Sequence, residues 1–540
     1  MIAFTDILWI FVFLIVFLTS YLAYSDFKDR QYFHSKKIFH FSNGIYKTIY
    51  FMIYLILKKK PMMIVYQMNY DKLKRANAKL GGRTQFGKKN FLVADSDLMK
   101  HILVKDYDHF VNRGGLNMPE SDILVKRMLI FLSDEKWKGM RSKLSPTFTT
   151  GKIKRLFSLF NDSAKKLIKY VDERMAESTD GEIELGDGYS KFTMDTIASA
   201  VCGMNSQAFD QIEPSIFEMM GKKLQLSFNG RTILKFFVMI SFPKFAERLG
   251  ITLFGNDVHQ FFAGAIKSSV KERNDMGQKG NDFIQLMLEA REDKLKTDES
   301  ELDSFEKDAI IKSEVKGQAS TANLLDDDGI VSNCVLFILA GFDTTQSLLL
   351  FCAYSLALHP EIQDKLRKEV EAVLDENDGD FTYDSIHRMT YLDMVINETL
   401  RFYPPAPMTN RTCSQDYLIP GTEMVVKKGD GVIIPIMAIH HDDRHYPEPE
   451  KFDPERFSPE NKRKLNTYAF LAFGQGPRNC IGMRFALTEA KLAIAQLVHN
   501  FDIEPSKRTP IPMEYQNAAA LKPKEGMWLA LKRRSGTIAG

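Results

Sequence analysis

Proline is absent from the first 60 residues of this 540-residue chain, and no later stretch is rich enough in Gly, Ser or Pro to divide it. Length alone allows several ordinary domains or one large one; without a linker, one large domain is the simpler reading. Cysteine is scarce too: Cys202, Cys334, Cys352, Cys413 and Cys480 are all there are. No two form a Cys-x-x-Cys pair and no framework spacing appears. That excludes a disulfide scaffold and a zinc ribbon, and points to a reducing compartment. Charge of one sign is not in excess: a formal net charge of +3 gives no bias towards nucleic acid. No Gly-x-Gly-x-x-Gly opens a βαβ unit, so the chain carries no dinucleotide-binding fold of its own. There is no internal repeat.

Apolar residues are plentiful. Hydrophobic residues make up 44% of the chain, enough for a large core, and 40 Phe with 25 Met suit a pliable apolar interior. Ile7 to Tyr24 is a nearly unbroken apolar run of roughly 18 residues, near the lower limit for a membrane-spanning helix. Lys28, Arg30, Lys36 and Lys37 follow it, and the positive-inside rule places that side in the cytosol. A cleaved signal peptide is the rival reading. It lacks a basic start, although Ala23-Tyr24-Ser25 offers a weak cleavage site. A second apolar stretch, Ile49 to Leu57, is too short to span. It ends at Lys58, Lys59 and Lys60, which suits a segment on the membrane surface or in a core.

Beyond this the periodicity is helical. Helices are predicted over Ile153–Met175, Phe192–Val201, Ile330–Leu358, Pro360–Leu374, Tyr391–Phe402 and Phe485–Val498. Pro360 starts its helix at the first position, and Pro404-Pro405 ends another. Strands are few and short: Phe91–Ala94, Met424–Val426, Val432–Ile434 and Trp528–Leu531. The charged stretch Asp293 to Asp328 reads as a solvated loop. The expectation is a mainly α fold with small β-sheets.

Four groups of residues carry chemistry. Phe473-Gly-Gln-Gly-Pro-Arg-Asn-Cys-Ile-Gly482 sets Cys480 in a glycine-rich loop just before a helix. Glycines let backbone pass close to a flat ligand. Helix N–H dipoles favour a thiolate there, a thiolate can ligate haem iron, and Arg478 is placed to pair with a haem propionate. Ala340-Gly-Phe-Asp-Thr-Thr345 puts a glycine, an acid and two hydroxyls in the middle of an apolar helix. There a hydroxyl can bond back to the carbonyl four residues earlier, and an acid is costly unless paired or hydrated. Glu398 and Arg401 share a helix face three residues apart. Trp137 and Arg141 share another, one turn apart.

Phe473, Gly476, Arg478, Cys480 and Gly482 fit the pattern Phe-x-x-Gly-x-Arg-x-Cys-x-Gly without a gap. This resembles the haem-binding loop of the cytochrome P450 family, and the likeness extends over roughly residues 65 to 535. Its flavour is that of the microsomal animal branch, with Asp282–Met287 and Ala340–Gln346 most like insect detoxification members. The resemblance implies a haem-thiolate fold preceded by an N-terminal anchor helix: residues 1–27 as anchor, 28–64 as linker and surface segment, 65–535 as catalytic domain, 536–540 as tail. It makes Cys480 the axial ligand of a b-type haem (heme b). Phe473 and Gly482 flank that ligand, and Ala340 and Gly341 lie over the opposite haem face. Thr344 would hydrogen-bond oxygen there while Asp343 feeds protons through water. Trp137, Arg141 and Arg411 join Arg478 at the propionates. Glu398 and Arg401, with Arg456 as third member, would form a buried charge network.

The implied reaction is monooxygenation of a lipophilic small molecule, drawing NADPH electrons through NADPH-cytochrome P450 reductase, with cytochrome b5 as a second carrier. Lys136, Lys138, Lys143, Arg463 and Lys464 form a basic face for such a donor. The implied location is the endoplasmic reticulum membrane, single-pass, with the catalytic domain cytosolic. Ile233 to Phe242 is apolar enough to dip into the bilayer. The pocket would be lined from Asn112–Leu129, Phe217–Phe254, the helix around Phe337, Ala406–Met408 and Asn517–Leu521. Detoxification of foreign compounds is expected, with oxidation of an endogenous hormone or lipid as the alternative. A reductase-independent isomerase or dehydratase is disfavoured by Asp343-Thr344, and a non-catalytic haem-binding protein by the intact oxygen-side motif. One departure stands out: the Pro-rich hinge that usually follows the anchor is missing.

Overall fold

The structure is a computed structural model, and it describes residues 20–21, 23–41, 62–85, 88–114, 118–119, 122–178, 180–210, 214–225, 230–277, 279–292, 294–295 and 324–534. Most of the apolar run 7–24 lies outside the described residues, as do 49–57, the greater part of 293–328, and the tail 536–540.

The chain forms two compact units where the sequence suggested one domain. The first is Met1–Gly115 with Met408–Ile439; the second is Leu116–Pro407 with His440–Gly540. No linker marks the division because the first unit is assembled from two distant stretches, joined by strand pairing.

In the first unit, helix α1 (Met62–Arg75) accompanies a five-stranded sheet. Its order is 39–40, 80–85, 88–93, 431–434, 409–412, with the first and third pairings parallel and the other two antiparallel. Gly81 and Gly82 sit where a Cβ would meet the rings of Phe41 at 2.6 Å and Phe33 at 2.3 Å, so these two strand glycines admit aromatic packing on the sheet.

The second unit is helical with one small antiparallel sheet, in which 528–533 lies between 182–184 and 501–505. Seven of its helices matter most here. Helix α2 is Asp134–Leu144, α3 Thr150–Glu177 and α4 Leu185–Ile197. The long α5 is Asp327–Leu358, followed by α6 (Pro360–Asp375), α7 (Thr390–Phe402) and α8 (Met483–Asn500). Helix α5 packs against α4, α7 and α8, and α8 also meets α3 and α6, so α5 is the core helix. Among the described residues it alone is long and apolar enough to cross a membrane, but most of its surface is buried by protein.

Local signals explain the boundaries. The Asp326 side chain accepts the Gly329 N–H and opens α5 three residues earlier than apolarity alone indicates. Pro360 stands at the start of α6 as predicted. Helix α4 begins seven residues before the predicted Phe192, because Glu184 accepts the N–H groups of Gly186 and Asp187. A π-turn, Ala198–Cys202, then completes the segment.

A clamped cysteine loop and an open helix stripe

Cys480 is the one exposed cysteine; Cys202, Cys334, Cys352 and Cys413 are buried. Its loop is closed by the Cys480 N–H donating to the Phe473 carbonyl at 2.8 Å and the Asn479 N–H to Gly476 at 2.9 Å. Gly474 and Gly476 have φ of 73° and 70°, the left-handed region that favours glycine, so both are required for the turn. Gly482 is different: it caps α8 at φ −93°, and a Cβ there would make only an ordinary contact with Phe148 at 3.7 Å. Phe473 is half-buried, and its carbonyl, rather than its ring, closes the loop.

The structure brings the cysteine loop and α2 together. Buried Arg141 donates from Nη1 to the Asn479 carbonyl at 3.1 Å and from Nη2 to Asn479 Oδ1 at 2.6 Å. In the reverse direction Arg478 donates to the Leu132 carbonyl at 2.8 Å, and its guanidinium lies 3.9 Å from the Trp137 ring centroid. Trp137 is therefore the platform for Arg478, a cation–π contact in a buried setting. Asn479, which tethers Arg141, went unremarked in the sequence although it adjoins the cysteine.

Behind the loop, Glu398 and Arg401 form a fully buried two-pronged pair at 2.7 and 2.8 Å. Arg456 approaches Glu398 at 3.6 Å, an ion pair without a hydrogen bond, and donates instead to the Glu448 carbonyl at 2.8 Å. Glu398 also accepts the Asp453 N–H. Burial pushes the Glu398 carboxyl up from its ordinary range, against the pull of Arg401. His440, which no motif marks, joins this network to the segment just before the cysteine loop. Arg401 Nη1 donates to the His440 carbonyl at 2.9 Å, and His440 Nδ1 lies 3.0 Å from the Arg401 carbonyl. The Leu471 N–H donates to His440 Nε2 at 2.9 Å, which fixes the tautomer with the proton on Nδ1. The ring is buried and stacks on Phe470 at 5.6 Å. Burial, then the Arg401 charge, pushes its pKa down to about 3.

Helix α5 is buried along most of its length. In its middle, Ala340 is exposed while Leu339, Gly341 and Thr344 are half-exposed. The helix runs through this stretch unbroken, as the predicted Ile330–Leu358 span requires. Gly341 is explained by close packing, since a Cβ would meet Ile197 of α4 at 2.6 Å. The back-bond occurs as expected: Thr344 Oγ1 donates to the Ala340 carbonyl at 2.6 Å. Asp343 is buried and paired with Lys522 Nζ at 2.7 Å, a partner far away in sequence.

On α8, Glu489 is completely buried, and burial raises its pKa well above the carboxylate range. The hydroxyls of Thr196 and Thr345 lie near enough to act on its charge, yet none of these atoms makes a hydrogen bond of good geometry. An acid within the apolar run 485–498 was the available signal.

Arg411 belongs to the other unit, in strand 409–412. It is buried, donates only to the neutral Thr409 hydroxyl and Asn410 carbonyl, and pairs with no carboxylate among the described residues. Burial, then the nearby Arg113 charge, drives its pKa well below the usual guanidinium value. The basic face is partly neutralised: Lys138 pairs with Glu135 and Lys464 with Glu460.

The profile of the family described as Cytochrome P450 matches residues 47–530. Cytochrome P450 9e2 of Blattella germanica is 34% identical, covering 98% of each chain. Cytochrome P450 6a2 of Drosophila melanogaster is 33% identical over 97% of this chain and 100% of its own. Cytochrome P450 3A31 of Mesocricetus auratus is 35% identical over 83% of this chain and 84% of its own.

Proposed function

Since the chain belongs to the cytochrome P450 family, we propose that the Cys480 loop and the open stripe of α5 are the two sides of its haem-thiolate site. The protein is a monooxygenase whose haem iron is held by a cysteine thiolate and whose electrons come from NADPH through a reductase. Its substrates are lipophilic small molecules, and it is associated with the endoplasmic reticulum membrane.

The observation that carries the site assignment is a pairing of exposures. Cys480 is the cysteine left open in its clamped loop, and α5 opens in its middle at Ala340 and Thr344. The donor set of the second unit fits a flat anionic group: one accessible thiol and buried arginines at Arg141 and Arg478. Cys480 would ligate the iron, and Arg141 and Arg478 would offset the propionate charges while Trp137 holds Arg478 in place. Arg411, with Arg113 beside it, is assigned to the same carboxylates. When bound, the haem supplies the activation of dioxygen that side chains cannot perform. Thr344 presents a hydroxyl tied to its own helix, Asp343 holds and passes protons, and the apolar residues of α5 exclude bulk water.

Foreign compounds are the proposed substrates. Leu234 and Leu249 are 62% and 60% exposed, and Phe242 and Phe245 are exposed beside them. This apolar surface on 230–249 supports contact with a bilayer, and residues 7–24 are proposed as a single-pass anchor with the catalytic units on the cytosolic side. Cytochrome b5 is proposed as a second electron donor.

Replacing Cys480 by Ser tests the ligand. The reduced carbon monoxide spectrum should lose its thiolate-type band, and a band that survives overturns the assignment. With reductase present, the native chain should consume NADPH faster when a lipophilic compound is added and yield an oxygenated product.

A further inference from the structure

Two faces of α5 meet at Asp343. Successive residues turn about 100° in a helix, which puts Asp343 on the shoulder between Ala340 and Thr344 on one side and Gln346 on the other. Gln346 lines a polar cleft of about 290 Å³, open to solvent, together with Asp187, Ser190, Lys222, Gln516 and Lys522. Its Nε2 donates to the Gly186 carbonyl at 2.8 Å. Lys522 belongs to both places: it lines the cleft, and its Nζ donates to Asp343 Oδ1 at 2.7 Å. The two side chains are only 13% and 9% exposed.

The loop bearing Lys522 is pinned to the same helix one turn further on. Ser347 Oγ donates to the Leu521 carbonyl at 2.6 Å, and the Leu521 N–H donates to the Pro405 carbonyl at 3.0 Å. The cleft wall also carries the buried Ser190 hydroxyl, which has no hydrogen-bond partner among the described residues. A buried hydroxyl in a roomy polar site is satisfied by water. The cleft, the lysine and the acid thus form a continuous polar path that ends on the shoulder of the Thr344 face.

We propose that Lys522 is a positioning residue for proton delivery, holding the Asp343 carboxylate at the boundary between the hydrated cleft and the open stripe. The inference rests on the reading of Asp343 as the proton carrier. A proton passes from cleft water to the carboxylate and from the carboxylate inward. The carboxylate is restored, Lys522 keeps its own protons, and no electrons move. Without the ammonium, a nearly buried carboxylate loses its compensating charge and its fixed orientation.

The test uses the purified full chain. The infrared carboxylate band that disappears in D343N identifies Asp343. K522M should shift that band, and K522R should restore it. In turnover with reductase, D343N should lose about 100-fold in product formation, within the range of general acid–base groups, and K522M about tenfold. K522M should also enlarge the solvent deuterium isotope effect, while K522R stays near the native value. If K522M does not fold, K522Q is read in the same way. An unchanged band together with an unchanged isotope effect overturns the role of Lys522. A D343N chain that turns over normally overturns the reading of Asp343 itself.

Discussion

The two sides of the proposed site are built on opposite terms. On the cysteine side the buried charges are engaged many times over: Glu398 by Arg401, Arg456 and a backbone N–H, Arg401 by two carbonyls besides, and His440 at both ring nitrogens. On the α5 side several polar groups are left without good hydrogen bonds, among them the Thr345 and Ser332 hydroxyls, with Thr196 and both Glu489 oxygens next to them. A ligand loop must be held in one geometry, and a densely bonded network does that. A face that handles oxygen and protons gains from groups still able to accept water.

Breaking the saturated side should have the largest effect. R401A leaves Glu398 buried without its main partner, and chemical denaturation should show a loss of roughly 3–5 kcal/mol. The thiolate-type carbon monoxide spectrum should vanish with it, and a stable R401A chain with normal spectrum would contradict the network. On the open side, T344A should barely move the denaturation midpoint, since the lost bond is to its own helix. Coupled product formation should nevertheless fall on the order of 100-fold. A T344A chain that is unstable instead would erase the contrast between the two sides.

Acid should sharpen the comparison next. The folded pKa of His440 is about 3, against an ordinary 6.5. As pH falls through 6.5 the unfolded chain takes up this proton first, so the stability His440 contributes at neutral pH is lost between 6.5 and 3. From pH 6.5 to 5 that amounts to roughly 2 kcal/mol. H440N, which keeps a hydrogen-bonding side chain but does not titrate, should flatten this part of the stability profile. Glu489 tests the open side with the opposite sign. Its folded carboxyl stays protonated while the unfolded chain releases the proton above about 4.5, so rising pH costs stability. E489Q removes that cost, about 1.4 kcal/mol for each pH unit above 4.5 over which the folded carboxyl keeps its proton, and should raise stability at pH 7. Destabilisation by E489Q would show that the carboxyl is better satisfied than its geometry indicates.

Much of this was legible in the chain. The mainly helical fold follows from apolar periodicity, and five of the predicted helices have counterparts within about three residues of the expected ends. The cysteine loop was readable because glycine, arginine and cysteine at fixed spacing have little other use. Glu398 with Arg401, and Trp137 with Arg141, were readable as pairs because helical spacing places them on one face. The use of Gly341 in α5 was not legible, since a glycine that serves packing against Ile197 looks in sequence like one that breaks a helix.

Lys522, His440 and Asn479 carry no local pattern that would select them. Each matters through a partner brought close by folding: Asp343 lies 179 residues from Lys522, and Arg141 lies 338 residues from Asn479. The division into two units was hidden for the same reason, because strand 431–434 pairs with strand 88–93 across more than half the chain. By itself the sequence determined which side chains could bind a haem iron, counter its carboxylates and bend a helix, because covalent spacing and helical period fix neighbours a few residues apart. Only the tertiary structure decided which charges are paired, which hydroxyls are left to water and which acid stays neutral. Those properties depend on burial and on distances between residues that the chain order does not relate.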